Sequence, residues 1–290
     1  MGSYATRRVS GWRTALKLGR VSNLPTVWSN VIAAAALAGG APVRTLAVVA
    51  GAMSLLYVGG MYLNDAFDAD RDARERPERP IPAGEISAGA VMGAGFALLA
   101  AGVVLLAAID AQTGIAGLAL AGAIVLYDWH HKENTLSPFV MGLCRALVYV
   151  TTGVAVAGAV TWAVLVPGLA ILAYVAGLTY AARMEAFDRV GSFWPLALLA
   201  APLLLALPQI GLAPANLVAL AALIVCGVWV WKLLSRRAPF DVSRAVGVLI
   251  AGIAINDALL AATTGAEYAT LACLVCFGLT LVFQRYVAAS

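Results

Sequence analysis

Ten runs of largely apolar residues follow one another along the chain, most of them long enough to cross about 30 Å of hydrocarbon as α-helices. They lie at 24–41, 45–66, 86–109, 113–128, 137–159, 162–182, 192–209, 213–233, 243–263 and 266–284. In lipid the backbone must satisfy its own hydrogen bonds, which leaves the helix as the solution for runs of this length. The fold expected is all-α, a polytopic membrane bundle of nine to ten transmembrane helices. The fourth run is short and the seventh is interrupted near Pro202 and Pro208. Composition agrees, with 62% hydrophobic and 12% charged residues, where soluble domains carry about 45–50% and about 25%. Residues 1–290 read as one integral membrane domain, with 1–23 as a cytoplasmic interfacial segment.

The cations decide orientation. Arg7, Arg8, Arg13, Lys17 and Arg20 precede the first run, with no apolar signal core or cleavage site among them, so secretion is disfavoured. With that segment inside, the inner connections also receive Arg71, Arg74, Arg76, Arg79, Lys132, Arg183, Arg189, Lys232, Arg236, Arg237, Arg244 and Arg285, and the outer ones only Arg44. The asymmetry places both termini on the cytoplasmic side of the cell inner membrane. A net charge of +4 points to nucleic acid only when it gathers on a soluble module. No such module is expected, and neither is a nucleic-acid partner. Cys144, Cys226, Cys273 and Cys276 all sit in apolar runs and read as packing thiols.

Acids gather where even-numbered runs end, at the same inner face. The first group is Asn64-Asp65-Ala66-Phe67-Asp68-Ala69-Asp70-Arg71-Asp72. On a continuing helix, with Asp65 at zero, Asp72 falls near about −20°, Asp68 about −60°, Asn64 about −100° and Asp70 about +140°. Asn64, Asp65, Asp68 and Asp72 thus share one arc. Carboxylates crowded at the edge of hydrocarbon call for a cation, and hard oxygen ligands suit Mg²⁺ completed by substrate phosphates. A solvated acidic loop paired with nearby arginines is the plainer alternative.

Arg76-Pro77-Glu78-Arg79-Pro80-Ile81-Pro82 follows. Its prolines exclude a helix and predict a rigid extended turn, on which two arginines either clamp a phosphate oxygen or merely anchor the inner face. Tyr127-Asp128-Trp129-His130-His131-Lys132 ends the fourth run. Asp128 and Lys132 are four apart and can face one cavity. Arg145 lies two turns into the fifth run, where a cation must face the bundle interior, and Tyr149 is expected to share its space. Beyond Arg183, Glu185 and Asp188 are three apart on one face. Asn256-Asp257 stands apart in the ninth run, where a helix–helix hydrogen bond is favoured over a functional site.

These residues resemble the UbiA superfamily of intramembrane prenyltransferases. Its first motif, Asn-Asp-x-x-Asp-x-x-x-Asp, is matched by Asn64, Asp65, Asp68 and Asp72, and its Arg-Pro-Leu-x-x-Gly-x-Ile-Ser is similar to Arg79-Pro80-Ile81-Pro82-Ala83-Gly84-Glu85-Ile86-Ser87. Arg20 and Asn23 resemble the residues that lead into the family's first helix. The chain departs from the pattern in three ways. Aligning the second motif's final acid on Asp188 puts Met184 at its earlier Asp, with Glu185 one place late. Ten runs stand where members usually show nine spans. The stretch around Tyr127–Lys132 and Met141–Leu147 is closer to the EboC-like branch than to quinone-pathway members.

The resemblance implies transfer of an isoprenoid chain from its diphosphate to an aromatic or other lipophilic acceptor within the bilayer. Mg²⁺ held by Asn64, Asp68 and Asp72, with Asp65 close by, is expected to grip the diphosphate as it leaves. Arg20, Arg79, Lys132, Arg145 and Arg183 would share its charge, and Asp128 would line the same cavity. Tyr127, Tyr149 or Tyr180 would offer rings to an allylic cation. Glu185 or Asp188 would bind a second metal or take the acceptor's proton. A membrane terpene cyclase, a carrier for a lipid-linked metabolite and an ion-coupled transporter are the rival readings. The transporter would place its charges near the midplane, whereas these lie mostly at one face.

Overall fold

The computed structural model describes residues 11–130, 134–187, 194–236, 238 and 240–287, with the backbone alone at 184–187 and 194–195. Every regular element among them is helical. An amphipathic helix, α1 (Gly11–Leu18), leads through a 3₁₀ turn at Val21–Asn23 into α2 (Leu24–Leu37), where Pro25 sits in the first turn. Proline is tolerated there because that N–H has no partner within the helix. The long α3 (Val43–Phe67) leads into the short acidic α4 (Ala69–Glu75), and two more long helices follow, α5 (Ala88–Ala107) and α6 (Ala111–His130). Ser87 caps α5 by accepting from the Ala90 amide, and Asp110 caps α6 by accepting from the Thr113 amide at 2.8 Å. Then come α7 (Ser137–Ala157) and α8 (Trp162–Phe187). The chain ends in α10 (Pro214–Arg236), α11 (Asp241–Ala262) and α12 (Glu267–Phe283), after a broken stretch that contains α9 (Ala201–Ala206).

That broken stretch corrects the expected seventh span. It is a 3₁₀ segment (Trp194–Ala200), the six-residue α9 and a second 3₁₀ turn (Leu207–Gln209). Pro195, Pro202 and Pro208 remove three backbone donors in so short a length, and an α-helix does not survive that density. The stretch still packs against the bundle core. Leu203, Leu205 and Ile210 pack with Val164 at the start of α8 and with Leu259 and Leu260 near the end of α11. Nine of the ten apolar runs are helices among the described residues, and seven of those helices are long and apolar enough to span a membrane. The protein is a multi-pass membrane protein.

Burial ranks the helices from centre to rim. In α11, 89% of the most apolar window is buried, against 28% in α5 and 22% in α10. The central helix is therefore apolar all round, and the peripheral ones turn side chains such as Phe96, Ile224, Val225 and Trp231 outward. Two apolar clusters meet along α2 and α7. One joins α3, α5 and α6 through Met53, Leu56, Leu99, Leu106 and Leu120, and the other joins α8, α11 and α12 through Ile171, Ile253, Leu259 and Cys273. Close helix approach depends on glycine. A Cβ on Gly59 of α3 would lie 2.9 Å from the Gly95 carbonyl of α5, and one on Gly142 of α7 would run into the Leu172 carbonyl of α8.

Candidate active site

Several polar helix ends meet at one end of the bundle. Gln284, just past α12, donates to the Asn23 side chain before α2 at 3.3 Å and to the Gly247 carbonyl near the start of α11 at 3.2 Å. The acidic segment belongs to this end. α3 stops at Phe67, and Asp68 (φ −89°, ψ 0°) is the single residue between α3 and α4. Backbone bonds carry the spiral through this step, from the Asp68 amide to Asn64 at 3.1 Å and from the Asp72 amide to Asp68 at 2.8 Å. The expected uninterrupted helix is thus broken by one residue, yet its angular register survives. Asn64, Asp65, Asp68 and Asp72 are all buried, and Asp70 and Arg71 face out.

The buried acids are held by arginines. Arg79 Nη1 donates to Asp72 Oδ2 at 2.6 Å and lies 3.4 Å from Asp65 Oδ1, which Arg20 Nη2 also approaches at 3.3 Å. Arg20 has a left-handed backbone (φ 41°, ψ 47°) directly after Gly19, a conformation with a real cost for a residue carrying a Cβ. It turns the Arg20 side chain onto α3. Asn64 Nδ2 donates to Asp128 Oδ1 at 3.1 Å, joining α3 to the end of α6. Segment 76–87 folds as successive tight turns, with the Ala83 amide on the Arg79 carbonyl at 2.8 Å and the Glu85 amide on the Pro80 carbonyl at 3.0 Å. The expected turn is present, and it is compact rather than extended because proline's fixed φ suits tight turns as well. It directs Arg79 inward and leaves Arg76 exposed, so one arginine rather than two reaches the acids.

The donor set suits a hard divalent ion: only amide and carboxylate oxygens, each buried at the end of the bundle. It is not a preassembled shell. Among the described residues no three acidic, histidine or cysteine side chains stand together as a metal nest. Arg79 and Arg20 supply positive charge to the buried carboxylates Asp65 and Asp72.

Beside the acids, α2, α3, α6 and α7 enclose an apolar cavity. Its walls include Val27, Met53, Leu56, Ile124 and Val148, and its polar groups are Tyr57, Tyr127, Asp128 and Arg145. Arg145 donates to Asn30 Oδ1 at 2.8 Å, to the Thr26 carbonyl at 3.2 Å and to Thr26 Oγ1 at 3.1 Å, and its guanidinium lies over the Tyr57 ring, 5.8 Å from the centroid. Tyr149 corrects an expectation. It is fully buried, donates to Asp257 Oδ1 at 2.5 Å and is absent from the cavity wall. The four-residue step from Arg145 advances about 400° and so turns Tyr149 about 40° further round α7, toward α11 and away from the cavity. Arg183 bonds Ser137 and the Asn134 carbonyl, tying α8 to the start of α7. Glu185 lies in α8 with only its backbone described, and Lys132 and Asp188 fall outside the described residues.

Sequence reasoning missed Tyr57, Thr26 and Asn30. For Thr26 and Asn30 the signal was present as three polar residues, with Ser29, within one apolar run, since polar side chains inside a membrane helix mark contacts with other helices.

The UbiA prenyltransferase family model matches residues 22–250. A digeranylgeranylglyceryl phosphate synthase of Ignicoccus hospitalis is 36% identical over 115 residues, 40% of this chain and 37% of that protein. A 4-hydroxybenzoate octaprenyltransferase of Idiomarina loihiensis is 31% identical over 121 residues, 41% of this chain and 42% of its own length. The chain thus spans less than half of either relative. A UbiA homologue from Archaeoglobus fulgidus, solved with GPP and Mg²⁺ bound, superposes with a TM-score of 0.53 at 14% identity, covering 94% of this chain and 99% of that one. At that identity the likeness shows the fold alone.

Proposed function

The chain belongs to the UbiA prenyltransferase family, and from that premise we propose that it transfers an isoprenoid chain from its diphosphate to a lipophilic acceptor within the cytoplasmic membrane. The observation that carries this reading is the burial of Asn64, Asp65, Asp68 and Asp72 at one end of the bundle, with Arg79 and Arg20 against them and an apolar cavity alongside. Asn64, Asp68 and Asp72 would hold Mg²⁺, with Asp65 close by. Once bound, the ion would supply charge stabilisation to the diphosphate as its bond to the allylic carbon breaks.

The chain's own residues would do the rest. Arg79 and Arg20, released in part from the acids, would bind diphosphate oxygens through forked donors. Arg145 would add a cation from the opposite wall. Val27, Met53, Leu56 and Ile124 would take the isoprenoid tail and keep water from the allylic centre. Tyr57 and Tyr127 would face the developing positive charge. Lys132, Arg183, Glu185 and Asp188 belong to the same proposal as further groups of the inner rim, the last two for the acceptor's proton. The two relatives are named for different reactions, so family membership leaves the acceptor open.

The Archaeoglobus relative's ligands make geranyl diphosphate the donor to try first. Purified protein incubated with it and Mg²⁺ is expected to release pyrophosphate when a lipophilic acceptor is supplied. Asp68→Ala and Asp72→Ala are expected to slow this by about 10²–10³-fold while still inserting into membranes. Metal-dependent binding of geranyl diphosphate that is unchanged in both variants would overturn the reading. Ring-closed products formed without any acceptor would replace it with a cyclase.

A further inference from the structure

Between α2, α7 and α11 lies a carboxylate that the cavity does not reach. Asp257 on α11 is fully buried and faced by donors: Ser29 Oγ at 2.5 Å, the Tyr149 hydroxyl at 2.5 Å, and Asn30 Nδ2 at 2.9 and 2.8 Å from its two oxygens. A carboxylate of this kind only accepts, so it can hold the Asn30 amide by its NH₂ end alone. The amide oxygen is thereby turned the other way, and there it accepts from Arg145 Nη1 at 2.8 Å. The other acceptors of that guanidinium both belong to Thr26 and are neutral. Arg145 therefore stands on the cavity wall bonded to uncharged groups, with a carboxylate one amide behind it.

We propose that Asp257 is a positioning residue, which through the Asn30 amide fixes the direction in which Arg145 presents its charge to an anionic ligand in the cavity. The inference rests on reading that cavity as the diphosphate site, and it names a residue more than a hundred positions from Arg145 in sequence. Its physical content is the direction of one amide. In Asp257→Asn one of the two oxygens that hold the Asn30 NH₂ becomes an NH₂ itself, so the direction of the amide is no longer fixed from both sides and it is free to turn an N–H against the N–H of Arg145. An Asp257 that serves only to join helices would lower stability without choosing between ligand states.

The test is a double-mutant cycle, because coupling between two positions is what distinguishes relayed positioning from general loosening. Geranyl diphosphate with Mg²⁺ is titrated by calorimetry into the full chain in detergent. Asp257→Asn and Arg145→Gln are each expected to weaken binding about tenfold. Their combination is expected to be no weaker than Arg145→Gln alone. Ser29→Ala removes a different donor to Asp257 and is expected to lower the melting temperature while leaving affinity within about twofold. If Asp257→Asn does not fold, Asn30→Ala cuts the same relay and is expected to give the same non-additive pattern. Additive losses, or full affinity in the Asp257→Asn or Asn30→Ala protein, overturn the inference and leave the functional reading intact. A wild-type protein that binds no geranyl diphosphate overturns the functional reading, and the inference falls with it.

Discussion

Arg79 shows how much one side chain settles at the rim. Its guanidinium touches two buried carboxylates, Asp72 at 2.6 Å and Asp65 at 3.4 Å, with 17% of its own side chain exposed. Removing one partner of such a pair leaves the other charge uncompensated, which costs about 3–5 kcal/mol in a fully buried pair and much less at an exposed one. For Arg79→Gln the expected loss is therefore about 1–3 kcal/mol, measured by thermal unfolding in detergent with EDTA present. Added Mg²⁺ is expected to raise the melting temperature more in this variant than in the wild type, since the ion replaces the missing cation. Equal shifts in both proteins would separate the carboxylates from any metal role. The identity of these acids was legible from spacing alone. Their partners were not, because Arg20 lies 45 residues from Asp65, and no local periodicity relates them.

Helices record a different balance between local and distant causes. Nine of the ten apolar runs form helices close to where hydropathy places them, and the exception is the run dense in proline. What hydropathy does not contain is which faces meet. Gly142 and Gly122 look alike in sequence, yet a Cβ at Gly142 would strike the Leu172 carbonyl, whereas one at Gly122 would meet nothing within 4 Å. Gly142→Ala is expected to force α7 from α8 at a cost of about 1–3 kcal/mol. Gly122→Ala is expected to be neutral or to stabilise by up to about 1 kcal/mol, because Ala is the better helix former. Melting curves of the two purified variants check the pair, and equal destabilisation would mean that α7 and α8 are not in close contact at Gly142.

At the scale of the whole molecule, the cations and the acids share one end. The bonds of Gln284 to Asn23 and Gly247, of Arg20 to Asp65 and of Asn64 to Asp128 place the start of α2 and α11 and the end of α3, α6 and α12 together. Exposed cations Arg71, Arg74, Arg76, Lys232 and Arg236 lie at that same end, and Arg44 lies at the other. From the positive-inside rule we propose that the acidic end faces the cytoplasm. A Val43→Cys protein is expected to react with a membrane-impermeant maleimide in intact cells, and an Arg74→Cys protein only after lysis; the opposite pattern would reverse the orientation.

Sequence by itself determined the class of the molecule, the number of apolar runs, the asymmetry of charge and the arc shared by Asn64, Asp65, Asp68 and Asp72. Each of these is a property of residues within one or two helical turns of one another, or of a sum along the chain. Tertiary structure alone decided that Arg79 and Arg20 neutralise that arc, that Tyr149 turns from the cavity to Asp257, and that Asn30 stands between Asp257 and Arg145. Most of those contacts join residues far apart in sequence, and Arg79 reaches Asp72 only through the tight turns that follow α4; in an apolar bundle such contacts are chosen by which faces can approach and which buried polar atoms must find partners.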